Sequence, residues 1–253
     1  MILALYKYFL KQRLRYVGNI IMGLFNVILR AIILVFFAQA FTSAAMAKGY
    51  GLTAMILLSF VSQALRDVGF FFREQEYYGT FYRIFATPAN RVLLILTYSL
   101  ASSTIMVLEI LVIISAGRIL GVHIVPGFRF RFTAFSVRLT AFGFSLLISP
   151  IGIFAKNVAG PIINLTQTII YLLTGVFFPV SLLPHSLQVI SNALPFTKVF
   201  EAFRGATIYG RGAEMILEYS MYGIFRGIAM TAVATLIIRI SERIAMNYGY
   251  ERL

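Results

Sequence analysis

The sequence predicts an all-α integral membrane protein with six transmembrane helices. It adds an amphipathic helix at the N-terminus, a short helix in one inner loop and broken helices on the outer side. Three observations carry this. First, 60% of the 253 residues are hydrophobic and only 12% are charged, against about 25% charged in a soluble domain. That is too little polar surface to wrap a water-soluble globule, so lipid is the solvent. Second, six apolar stretches can each cross roughly 30 Å of hydrocarbon at about 1.5 Å per residue. They run over 18–41, 52–72, 91–117, 132–154, 161–178 and 219–240. Third, no Pro/Gly/Ser-rich linker or internal repeat divides the chain, which reads as one domain over 1–253.

The net charge of +13 would suggest nucleic acid in a soluble protein. Here the basic residues sit mostly at the ends of apolar segments and form no Lys/Arg-rich run, so nucleic acid is excluded as a partner. Membrane lipid is the partner this pattern fits. Cys is absent, which removes disulfide frameworks, thiolate metal sites and cysteine nucleophiles.

Residues 1–17 do not form a span. Ile2, Leu5, Phe9 and Leu10 recur at helical spacing, while Lys7, Lys11 and Arg15 fall on another face. That pattern predicts a helix in the headgroup plane; a solvated start to the first span is the alternative. Ala38-Gln39-Ala40 resembles a signal cleavage site. However, the apolar run before it is longer than an h-region of about 7–15 residues, and Arg30 interrupts it, so an uncleaved span is predicted. The inner segments hold the larger share of Lys and Arg when both termini are cytoplasmic, which sets that orientation.

The loop over 73–91, REQEYYGTFYRIFATPANR, is too long for a tight turn and too polar for lipid. Glu74 and Glu76 suit a helix N-terminus and Arg83 the far end. Gly79 weakens the helix, and Thr87-Pro88 stops it before Arg91. A short helix across the inner mouth of the bundle is predicted; an ordinary charged loop is the alternative. Between the fifth span and Gly210, Pro179, Pro184 and Pro195 break the chain into pieces too short to span. Leu187, Ile190 and Leu194 form one apolar stripe, and Phe196, Phe200 and Phe203 another. Residues 179–210 are therefore predicted to form re-entrant helices capping the outer mouth. Glu201 lies at helical spacing from Lys198 and Arg204, which predicts local ion pairing.

Ionisable residues at membrane depth are functional candidates by default. Arg30 shares a helix face with Asn19, Gly23 and Asn26. Ser59, Ser62, Gln63 and Arg66 form a polar stripe on the second span, with Asp67 beside it. Glu109 is the one acid deep within a span, about 12 Å below the outer end of the third. Arg138 and Arg226 fall at about 9–13 Å and Arg30 at about 16 Å on the same scale. The expectation is that one of these three arginines pairs with Glu109 and another is left for a negatively charged headgroup. The alternative is that all of them pair, snorkel or contact carbonyls. Neither His123 nor His185 belongs to a ligand-spaced cluster, so no metal is expected.

Two segments resemble a known family. E-Q-E-Y-Y-G-T-F-Y-R-I-F-A-T-P-A-N-R is similar to the inner loop of ABC-2 type permeases, the membrane subunits of ABC exporters of drugs, lipids and glycoconjugates. Tyr82 departs from it, standing where the family often has an acid. The outer run, with Gly175, Pro179, Leu183, Pro184, Leu187, Pro195, Thr197 and Arg204, is similar to that family's outer signature. The resemblance covers nearly the whole chain, and it implies several further expectations. A separate ATP-binding subunit, carrying the ATP and Mg, docks on a coupling helix through Glu74, Glu76, Gly79, Thr80, Arg83, Thr87, Pro88 and Arg91. Gly175, Pro179, Pro184, Pro195, Thr197 and Arg204 form an outer lid. Two permeases pair as a homodimer or heterodimer in the cytoplasmic membrane of a prokaryote. Independently of the resemblance, the polar and ionisable residues within the spans assign the path to Asn26, Arg30, Gln63, Glu109, Arg138 and Arg226.

The chain has no G-x-x-x-x-G-K-[ST] phosphate loop, so it is expected to be a transport subunit and not itself an enzyme. The competing classes are an ion-coupled secondary transporter, a membrane-embedded enzyme and a non-transporting scaffold. The first would need a midplane acid cluster or paired broken helices, of which only Glu109 is found.

Overall fold

The computed structural model describes residues 2–40, 43–69, 71, 74–75, 79, 90–122, 124–151, 158–210 and 212–248. The regular elements are helical throughout: α1 (Ile2–Leu14), α2 (Val17–Ala38), α3 (Ala44–Gly69), α4 (Arg91–Ile119), α5 (Phe128–Ile148) and α6 (Ala159–Leu173). A 3₁₀ turn (Val180–Leu182), α7 (His185–Ala193), α8 (Pro195–Arg204), a π turn (Gly205–Tyr209) and α9 (Ala213–Tyr248) follow. Among the described residues, five helices are long and apolar enough to cross a membrane: α2, α4, α5, and the stretches Met46–Gly69 and Ala213–Ser241 of α3 and α9. The chain is a multi-pass membrane protein.

The fifth expected span, 161–178, takes a different form. Its helix stops at Leu173, and Gly175 turns left-handed at φ 75°. Glycine just past a helix end adopts this conformation at little steric cost. A side chain there would also press within 2.9 Å of Val180. The apolar run continues to Phe178, but the backbone has already left the helix.

Helix α3 is the centre of the molecule. Its apolar window is 83% buried, against 22% for α2 and 22% for α9. It packs on α2, α4 and α5, while α5 makes its most extensive contact with α9. Small residues allow these close approaches. A side chain at Gly51 would meet the α2 backbone at Val35, 2.6 Å away. On the other side, Gly143 of α5 faces the Gly227 carbonyl, and a side chain at Gly227 would lie 2.9 Å from the Leu139 backbone. Hydroxyls seal the same seam: Ser136 donates to the Ser220 carbonyl at 2.7 Å and Thr140 to the Gly223 carbonyl at 2.9 Å. Such small and hydroxyl-bearing contacts hold helices together where lipid removes the hydrophobic drive between them.

The first residues form the helix α1, which lies against α4. Phe9 is buried against Phe71 and Tyr98, with ring centres 6.4 and 5.3 Å away. Lys7 and Lys11 stay exposed. Asn90 caps α4, its side-chain oxygen accepting from the Val92 and Leu93 amides at 3.0 and 3.4 Å.

Residues 179–210 form two short helices and two turns, with Pro179, Pro184 and Pro195 each just before or at the start of one of the pieces. Pro195 opens α8 at a first-turn position, where a missing amide costs nothing. Of the two predicted stripes, Phe196, Phe200 and Phe203 are fully buried in the core, against α5 and α3. Ile190 of the other stripe remains exposed.

Candidate functional site

Three features stand out, and each is built by the central helix α3. The first is a buried ionic cluster near its Gly69 end. Asp67, only 2% exposed, lies between Arg13 of α1 at 3.1 Å and Arg138 of α5 at 3.4 Å. Arg138 also donates to the Ser99 hydroxyl at 2.6 Å, the Ser99 carbonyl at 3.2 Å and the Phe60 carbonyl at 3.4 Å. The Arg13 guanidinium sits 4.8 Å from the centre of the Tyr98 ring and donates to its hydroxyl, which in turn donates to Glu74. Burial opposes the charge on Arg13. Tyr98, Asp67 and Glu74 outweigh that effect and hold its pKa above the ordinary value. The cluster ties the N-terminal helix, three spans and the first residues of the loop after α3 into one unit.

Of the three arginines weighed as partners for Glu109, Arg138 pairs with Asp67 instead. Helix α5 starts at Phe128, so Arg138 lies about 15 Å from that end. Its side chain reaches the face of α3 that carries Phe60 and Asp67. Glu109 lies against a different face, beside Arg66 and Ser59. Arg226 does not join them. It is exposed on α9, 5.0 Å from the Tyr222 ring centre.

The second feature is a polar crevice between α2, α3 and α4. Two adjoining cavities of about 320 and 350 Å³ share Gly23, Arg66 and Glu109. The lower one is closed by α1 through Gln12 and Arg13, and reaches Gln63, Asp67 and Glu74. The upper one extends to Asn26 and Arg30, with Ser59 and Ser62 on its α3 wall. The two polar stripes read from the sequence therefore face each other. Of the six residues assigned to a path, Asn26, Arg30, Gln63 and Glu109 line the crevice, while Arg138 and Arg226 do not.

The third feature lies at the opposite end. Arg204, buried at 6% exposure, stacks 4.0 Å from the centre of the Tyr50 ring and donates to the Val176 carbonyl at 2.7 Å. Tyr50 donates to the Gly175 carbonyl at 3.0 Å. Burial pulls the Arg204 pKa down, with Tyr50 opposing it. Together, α8 and α3 pin the turn that ends α6. Thr197 fastens α8 to α7 by donating to the Ser191 carbonyl at 2.5 Å. Lys198 lies over the Tyr219 and Tyr222 rings, at 5.6 and 4.8 Å, and Glu201 is an electrostatic neighbour of Arg204. We expect Arg204→Met to lose about 1.5–3 kcal/mol, the worth of a charged hydrogen bond. Backbone hydrogen exchange over 175–183 should rise. Unchanged protection there would mean that Arg204 does not hold the turn after α6.

Of the residues assigned to ATPase coupling, Glu74 accepts from Tyr98. Gly79 is left-handed at φ 67°, and Arg91 opens α4. Glu76, Thr80, Arg83, Thr87 and Pro88 lie outside the described residues, as does His123. Pro179 and Pro184 flank the 3₁₀ turn and α7. Among the described residues, no group of three or more His, Asp or Glu is placed to hold a metal. Sequence reasoning missed Tyr50, Tyr98 and Ser99. None of them carries a signal, because each gains its role only from a partner distant in the chain.

A family model described as ABC-2 type transporter matches residues 2–208. No curated protein matches the chain.

Proposed function

Since the chain belongs to the ABC-2 type transporter family and is the permease component of an ABC transporter, we propose that it exports a hydrophobic or amphipathic substrate across a prokaryotic cytoplasmic membrane. An ABC ATP-binding partner is general to this family. In this proposal it docks on the inner loop between Glu74 and Arg91, binds ATP and Mg, and supplies the energy. Both termini are then cytoplasmic, and two permeases pair, as a homodimer or a heterodimer. Gly175, Pro179, Pro184, Pro195, Thr197 and Arg204 act as the outer lid. Asn26, Arg30, Gln63 and Glu109 line the path.

The observation that carries this reading is the continuity between loop and crevice. Glu74, at the start of the loop, is bonded to Tyr98, and both line the same cavity as Gln63 and Glu109. A displacement of the loop would therefore change the shape of the crevice directly, through an ionic cluster that cannot be left half made.

Gly79 provides the test. Its φ of 67° is a conformation that a β-branched residue adopts only with strain of about 1–3 kcal/mol. Gly79→Val should leave the membrane bundle folded, because a side chain there meets open space. It should release the ATP-binding subunit during co-purification and abolish ATP-driven transport. A Gly79→Val chain that keeps its ATPase partner and full transport would sink the docking assignment.

A further inference from the structure

We propose that the N-terminal half of α2 is a hinged gate, which swings about the contact of α2 with α3 and opens or shuts the crevice within a single subunit. This rests on the reading of the crevice as a path and deepens it by naming the part that moves.

Helix α2 is held at one end only. Its buried residues are Val27, Ala31, Leu34, Val35 and Ala38, whereas none of the residues from Val17 to Asn26 is buried. At the held end the backbones nearly touch, since a side chain on Gly51 would meet the Val35 amide nitrogen at 2.6 Å. At the other end Asn19, Ile20 and Leu24 line the lower cavity, and Met22 and Asn26 the upper one. Gly23 borders both, and a side chain built on it meets nothing within 4 Å. A crevice, not packed side chains, therefore separates this half of α2 from α3 and α4.

The joint at the start of α2 is equally free. Helix α1 ends at Leu14, and Tyr16 stands at φ −108° and ψ 64°, outside the helical range, with no side-chain cap for α2. Helix α1 itself is fastened elsewhere, by Arg13 to Asp67 and by Tyr6 to the Thr104 hydroxyl at 2.7 Å. Breaks at element ends absorb the backbone change of a hinge. Helix α2 can thus tilt while α1 stays on α4.

The two walls are also complementary. Among the described residues, the side chains of Asn19, Asn26 and Arg30 make no hydrogen bond or ion pair. Opposite Asn26 and Arg30 stand Ser59 and Glu109, with Arg66 beside Glu109. In an open crevice water hydrates these groups; in a shut one they serve each other. Hydrogen bonds are exchanged and not lost, so the two arrangements lie close in free energy. From Val35 to Ile21 the lever is about 21 Å long, and a tilt of about 15° moves its end by about 6 Å.

The chain has no cysteine, so paired cysteines take nitroxide labels without background. Double electron–electron resonance then reads the distance between them in the full chain, held in lipid nanodiscs. One pair, Ile21→Cys with Leu100→Cys, reports the free end of α2 against α4. Both sites are exposed and lie outside the crevice, so the labels do not fill it. A second pair, Phe36→Cys with Ile119→Cys, reports the held end and is also exposed. The first pair should show two distances about 6 Å apart, and the second pair one. Gly23→Leu puts a side chain into the crevice and favours the helix, so it should leave only the open arrangement. Fraying of the α2 end would survive that substitution. A single distance for the first pair, two distances for both pairs, or two that persist in Gly23→Leu would overturn the gate. If Gly23→Leu fails to fold, the two pairs in the parent chain still decide. No ATP-binding subunit enters the measurement, so a failure here is separable from a failure of the Gly79→Val test.

Discussion

Asp67→Leu should destabilise the protein by about 3–5 kcal/mol, the cost of removing one member of a buried ion pair. The loss arises from what is left behind. Arg138 is 16% exposed and would keep its charge among α3, α4 and α5 with only neutral oxygens for company. Arg13 is 33% exposed and can turn partly to water, so it adds less. Arg138→Met alone should be milder, because Asp67 would keep Arg13. The double variant Asp67→Leu/Arg138→Met should recover most of the loss, since apolar replacement of a whole buried pair is often close to neutral. Thermal unfolding in detergent of the two single variants and the double measures this. Additive losses would mean that Asp67 and Arg138 do not act as a pair.

Gly227→Leu should be severely damaging in the α5–α9 seam. Overpacking a core costs about 1–3 kcal/mol when side chains can move aside. Here the obstacle is the Leu139 backbone at 2.9 Å, which cannot turn to another rotamer, so the loss should reach or exceed the top of that range. The two helices would have to separate, straining the Ser136–Ser220 and Thr140–Gly223 bonds that lock them. Gly18→Leu is the matched control, because a side chain there meets nothing within 4 Å. A melting temperature for Gly227→Leu equal to that of Gly18→Leu would show that the seam is not close-packed at this point.

The crevice was legible in the sequence because helical spacing reports which residues share a face. Asn19, Gly23, Asn26 and Arg30 on α2, and Ser59, Ser62, Gln63 and Arg66 on α3, are polar at membrane depth and had to face something other than lipid. Spacing gives depth and face on one helix but not which neighbour that face meets. Asp67 therefore stood beside the stripe without a role, since its partners Arg13 and Arg138 lie 54 and 71 residues away in the chain. Depth likewise left Arg30, Arg138 and Arg226 as equal candidates for Glu109, and Arg138 meets Asp67. The Gly223–Gly227 pair was a readable signal, two glycines four apart in an apolar helix, and its α5 counterpart at Gly143 explains it. The fifth span ran too long because an apolar count cannot see a backbone turn at Gly175. Of the loop over 73–91, the structure describes only Glu74, Gln75, Gly79 and the Asn90–Arg91 end, so the sequence remains the fuller account of it.

The central position of α3 has a consequence for biogenesis. With α5, it is the least apolar of the five long helices, yet it is the one most enclosed by the others. A segment of that kind partitions weakly into lipid when it leaves the translocation machinery alone. It gains its place from the helix synthesised before it, through the Gly51–Val35 contact, and from α4 and α5 synthesised after it. Asp67 and Arg66 meet their partners on these later helices, with Arg13 already waiting upstream. Stable insertion of α3 is thus a collective event, completed only when α5 has emerged and delivered Arg138.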